Sequence, residues 1–137
     1  IHNCSGDEKH AFVLLVAPEK WHDERLKQYF VDSMSNEGIE YIPINNCKMS
    51  EAQKSIENEI EKITTKIENL IFVVIAHGFY HDDGEAIVFE DCYVLLDTFI
   101  HPFVVVAKNE RKCKTGLFFS NFTFYFRRAL LIDELPS

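Results

Sequence analysis

His77 is the residue of this chain best placed for acid–base chemistry. It follows an unbroken apolar run, Leu70 to Ala76 (LIFVVIA), and is followed at once by Gly78. A run of that composition suits a strand covered on both faces. An imidazole at the tip of such a strand, with a glycine behind it, can project into a cleft and act as a general base. It can equally cap the strand by bonding backbone. As a base it needs a nucleophile beside it, most simply a Cys, Ser or Thr from a neighbouring strand end. A metal is the other use of an imidazole, and His81 stands four residues on with Asp82 and Asp83 beside it. Gly78 and the D-D-G run break the helix that such spacing would need, and turn chemistry explains Asp82-Asp83-Gly84, so no metal site is expected.

The elements that must position His77 follow from hydrophobic periodicity. Ala11 to Ala17 (AFVLLVA) is a second continuous apolar run, ending at Pro18, and reads as a buried strand. Trp21 to Met34 reads as a helix with Leu26, Tyr29, Phe30 and Met34 on one face, Asp23 and Glu24 at its start and Gly38 as its stop. Ile39 to Ile44 alternates around Pro43 and predicts a short strand near an edge. Ser50 and Gln53 have capping-box spacing and open a helix along the stripe Ile56, Ile60, Ile63 and Ile67. Leu70 to Ala76 is expected to be a central parallel strand. His81 to Gly84 is a turn, Ala86 to Phe89 a strand, and Val94, Leu95, Thr98 and Phe99 a third helix closed by Pro102. Leu117 to Phe126 (LFFSNFTFYF) reads as a last buried strand, followed by a tail from Arg127 to Ser137. Strands and helices in alternation predict an α/β sheet, largely parallel, with helices on its faces and function at the carboxyl ends of its strands.

Composition narrows the function. The 137 residues, 47% of them hydrophobic, suit one folded domain and argue against disorder. A formal net charge of −8 disfavours nucleic-acid binding, which depends on dense Lys and Arg. No apolar run approaches the roughly 20 residues of a membrane span, and Ile1 to His10 lacks the apolar core of a signal peptide. Cys4, Cys47, Cys92 and Cys113 form no C-x-x-C pair. They could pair as disulfides, but a core this rich does not need them, so they read as reduced thiols of a cytosolic protein. Cys92 and Cys113 read as small apolar or loop residues rather than nucleophiles. The sequons at Asn3 and Asn121 are taken as chance matches, the second because it lies in the last apolar run. No glycine-rich phosphate loop follows any strand, which disfavours a flavodoxin-like binding domain.

Three features in order, IFVVIAHG (Ile71 to Gly78), the D-G turn with AIVFED after it, and LFFSNFTF (Leu117 to Phe124), resemble the large subunit of a caspase. The resemblance covers Phe12 to Phe126. It implies a caspase-like three-layer α/β/α fold over residues 1–137, completed by a small-subunit segment or a partner, with 127–137 as an intersubunit linker tail. It implies that His77 and Gly78 stand where the family's catalytic His-Gly stands. The family's nucleophile lies in K-P-K-L-F-F-I-Q-A-C-R-G. Aligned on L-F-F, this chain offers Ser120-Asn121-Phe122-Thr123-Phe124 where I-Q-A-C-R should be. Thr123 therefore takes the place of the cysteine, or Phe122 if the register slips by one. An unassisted Thr hydroxyl is a weak nucleophile, whereas Cys already offers some thiolate near neutral pH. The family's loop between first strand and first helix, which carries an arginine for the substrate's Asp, is reduced here to Pro18 to His22. Arg25 is the nearest Arg and falls on a solvated helix face.

The resemblance thus implies a pseudo-enzyme with no substrate site and no cofactor, a decoy caspase that regulates an active caspase in apoptosis by heterodimerisation in the cytoplasm. Its partner would be a caspase small subunit or an active caspase. The aromatic density of the last strand fits a partner chain extending the sheet, or a core covered by its own helices. Asp133 stands where an intersubunit processing site would fall, or is a surface Asp. The alternative is an active caspase-like cysteine or threonine peptidase in which His77 acts with a nucleophile elsewhere in the sequence.

Overall fold

The computed structural model describes residues 9–121 and 127–131. In chain order the elements are β1 (Lys9–Val16), α1 (Glu24–Asn36), β2 (Ile42–Ile44), α2 (Met49–Glu61), β3 (Ile67–Ile75), β4 (Gly78–His81), β5 (Gly84–Val88), β6 (Tyr93–Leu95), α3 (Leu96–Asn109), β7 (Cys113–Asn121) and β8 (Arg127–Leu131). Five strands form one sheet in the order β2-β1-β3-β7-β8. The first four are mutually parallel, and β8 runs antiparallel to β7. The strands β4, β5 and β6 form a separate antiparallel sheet.

Alternation along β1 and β3 divides the core in two. Leu14, Val16, Leu70, Phe72 and Val74 face the side covered by α2 and α3, through Ala52, Ile56, Ile60, Phe99, Phe103 and Val104. Val13, Leu15, Val73 and Ile75 face the side covered by α1, through Leu26, Phe30, Val31 and Met34. The molecule is therefore a three-layer α/β/α arrangement around a mostly parallel sheet. Both faces of the two central strands are dry, which is why their sequences read as continuous apolar runs rather than alternation. Each fully buried side chain of this size contributes roughly 1.5–3 kcal/mol.

Helix ends depart from the sequence reading, each for an identifiable reason. Helix α1 begins at Glu24, not Trp21, because the Asp23 side chain accepts the backbone N–H groups of Arg25 and Leu26 at 2.9 and 3.2 Å. It ends as expected at Gly38, whose φ of +70° lets its own N–H reach the Ser35 carbonyl and the Ile39 N–H reach Met34. Tyr29 is 59% exposed rather than core, because it lies on the flank of the face set by Leu26, Phe30 and Met34. Helix α2 is not capped by Ser50 and Gln53. Lys48 holds the N-cap position without a side-chain bond, and Asp91, distant in sequence, accepts the Met49 N–H at 3.1 Å. The isoleucine stripe is buried throughout, but only Ile56 and Ile60 lie in the helix; Ile63 lies in the link and Ile67 opens β3.

Helix α3 starts at Leu96, with Val94 and Leu95 in β6, and it runs through Pro102 instead of stopping there. An internal proline costs about 3 kcal/mol. The turns beyond it bury Phe103, Val104 and Ala107, which together return more than that. Gly116 of β7 permits this docking: a Cβ there would sit 2.5 Å from Val104 Cγ1. Strand β7 begins at Cys113, four residues before the apolar run, because it pairs in register with β3 from Ile67 onward. The stretch read as a linker tail holds β8, so the outer edge of β7, where a partner chain was expected, is taken by the chain itself.

Candidate functional site

The carboxyl ends of β1, β3 and β7 lie side by side, and His77 follows β3 there. The residue is half-buried and held from two directions. Its backbone N–H donates to the Trp21 carbonyl at 2.8 Å, and its own carbonyl accepts the Val88 N–H at 2.9 Å. The first bond ties it to the loop after β1, the second to β5. The Trp21 indole meets the His77 ring edge-on, centroids 6.5 Å apart and planes at 88°. Gly78 is the first residue of β4, so the His-Gly pair is the hinge between the two sheets.

The loop from β1 to α1 is short and bound along its length. Ala17 and Glu19 donate to the carbonyls of Ile44 and Asn45, each at 3.0 Å, and Trp21 N–H closes a turn onto Pro18, also at 3.0 Å. Lys20 takes φ of +70° in this turn. His22 Nδ1 lies 2.7 Å from the Pro18 carbonyl, and its Nε2 lies 3.0 Å from Glu24 Oε1. Both ring nitrogens therefore face acceptors, of which a neutral imidazole can donate to only one. Trp21 and His22 are the site residues that sequence reasoning missed. Neither belongs to a periodic pattern, and only tertiary structure brings Trp21 to His77. Arg25 is exposed in the first turn of α1, as expected.

The described thiols lie in other surroundings. Cys113 pairs with Ile67 at the start of β7, ten residues back from His77, or roughly 30 Å along the strand. Cys92 Sγ lies 3.7 Å from Met49 Sδ, and burial, then Asp91, pushes its thiol pKa up. The Glu90 carboxylate, by hydrogen bond and charge, raises that of Cys47. Both shifts disfavour the thiolate form. Cys4, Thr123 and Asp133 lie outside the described residues. The β3–β7 register ends with Ile75 opposite Asn121, and His77 and Thr123 each come two residues later in sequence.

His81 ends β4, with Asp83 N–H 3.4 Å from its Nδ1 across the hairpin turn and the Tyr93 ring 6.1 Å away. Among the described residues no group of three or more His, Cys, Asp or Glu side chains could hold a metal ion, and no helix is long and apolar enough to cross a membrane. Chemically, the strand ends offer an imidazole whose backbone is bonded on both sides and whose ring meets Trp21. Comparison with protein-family models, with curated proteins and with solved structures gives no match.

Proposed function

We propose that this chain is a catalytically inactive caspase homologue that regulates an active caspase by heterodimerisation in the cytoplasm. The observation that carries the reading is the adjacency of β3 and β7 in parallel register. It brings together the strand that leads to His77 and the strand whose sequence continues into Ser120-Asn121-Phe122-Thr123-Phe124. A cysteine protease of this plan needs its thiol in that second segment, and the segment has none. The short, tied loop after β1 supports the same reading, since it leaves no room for an arginine-bearing loop and Arg25 sits on the helix surface. Such a chain acts through association. Binding to an active caspase, or to a caspase small subunit, would shift the partner between working and idle conformations. With β7 covered by β8, sheet extension by a partner would use the outer edge of Arg127–Leu131.

The test is co-expression with candidate active caspases, followed by size-exclusion chromatography and a peptide-cleavage assay on the complex. The expected result is co-elution with at least one caspase and a changed cleavage rate. Failure to co-elute with any would remove the regulatory role while leaving the fold unaffected.

A further inference from the structure

A surface remote from His77 has the build of a recognition site. Helices α2 and α3 lie on the same face of the sheet, and a groove of about 390 Å³ runs between them. Its floor is apolar, from Ile60, Phe103, Pro102 and Val106. Between the exposed Thr98 and Asn109, the middle of α3 turns apolar side chains to water. Pro102 is exposed, Val105 is 38% exposed and Val106 is 49% exposed, positions three and four residues apart that form one outward stripe.

The rim is acidic. Glu57 and Glu61 stand one turn apart on α2, both exposed, and Glu110 follows α3. Like charges at that spacing weaken a free helix. Among the described residues no cation pairs with Glu57 or Glu61. Lys112 lies 3.8 Å from Glu110, but its closer bonds are to the carbonyls of Ile60 and Glu61, at 3.0 and 3.2 Å. That ammonium is thus occupied in closing the end of α2, and the rim keeps a net negative charge.

An exposed apolar stripe beside unneutralised carboxylates on two neighbouring helices fits one kind of occupant: a third helix, apolar on one side and basic along its flanks. A second copy of this chain is disfavoured, because a rim this acidic would meet its own like charge and the chain carries −8 overall. We propose that the α2–α3 groove receives a basic amphipathic helix from a partner protein. The inference stands independently of the caspase reading, since it uses no residue near His77.

The experiment uses the full chain and two fluorescein-labelled helical peptides of about 18 residues. Both carry Leu at helical spacing, one with Lys at the flanks and one with Glu at the same positions. By anisotropy the Lys peptide is expected to bind at least about tenfold more tightly than the Glu peptide, with the difference shrinking as NaCl is raised. Val106→Asp is expected to weaken the Lys peptide by a similar factor. Val106→Thr, which keeps the side-chain shape, weakens it less and guards against misfolding of the first variant. Glu57→Lys with Glu61→Lys is expected to reverse the preference towards the Glu peptide. No binding of the Lys peptide, equal binding of both peptides, or affinity unchanged in both Val106 variants would overturn the proposal. So would sedimentation showing a dimer that Val106→Asp dissociates, which would make the occupant a second copy.

Discussion

The carboxyl end of the sheet and the outer α2–α3 face are built on opposite plans. Around His77 the backbone is bonded internally: bonds with Trp21 and Val88 hold the residue, and the loop after β1 is tied down at Ala17, Glu19 and Trp21. On the outer face, apolar side chains and carboxylates point into solvent with little to balance them. A working hydrolase concentrates its unbalanced chemistry at the first kind of place. Here the perturbed thiols lie in the β2–α2 and β5–β6 links, raised rather than lowered, and the exposed imbalance lies on a surface.

The contrast can be broken hardest in the shared core. Gly116→Ala drives a methyl group into Val104 and is expected to cost about 1–3 kcal/mol by urea unfolding. Adding Val104→Ala to it should cost less than the sum of the two single changes, because the clash is relieved. Simple additivity would mean that α3 does not lean on β7 in this way. Truncating Phe72 is expected to cost more, about 3–5 kcal/mol, since it is fully buried beneath Phe103.

The site itself offers a smaller effect with a specific reporter. Trp21 is the single tryptophan, and its ring meets His77. His77→Ala should shift Trp21 emission while lowering stability by only about 1 kcal/mol, the value of an aromatic pair. Unchanged emission would separate the two rings.

How far these features were legible in the sequence depends on the range of the interactions behind them. Strands β1 and β3 were readable because two-sided burial makes an uninterrupted apolar run. His77 was readable because it ends such a run, and Gly38 because a left-handed residue closes a helix locally. The start of α2 was not, because its cap, Asp91, arrives from a distant loop. Pro102 misled because local propensity was outweighed by burial further along α3. Strand β8 has a sequence, RRALL, with no alternation, and only pairing with β7 makes it a strand. The Trp21–His77 contact joins two loops and carries no periodic signal at all.

Because Glu90 holds the Cys47 thiol up, Glu90→Gln should lower its pKa and speed iodoacetamide alkylation at neutral pH by a few fold. Peptide mapping by mass spectrometry reads the rate, and an unchanged rate would remove the Glu90 contact. The smallest effect concerns Asp91, whose carboxyl the Met49 N–H holds below its ordinary 3.8. A lowered folded value contributes stability that is present above the ordinary value and is lost as pH falls through the lower one. Asp91→Asn should therefore flatten the acid limb of the unfolding midpoint slightly and leave the neutral region nearly unchanged; identical acid limbs would count against this cap.

Labelling decides whether the imidazole at the end of β3 activates a thiol. The purified chain is incubated with an electrophilic peptidyl probe directed at caspase thiols, beside its His77→Ala variant, and adducts are read by intact-mass spectrometry. No His77-dependent adduct is expected at any cysteine. A stoichiometric adduct on one cysteine that disappears in His77→Ala would identify a working cysteine protease and contradict that expectation.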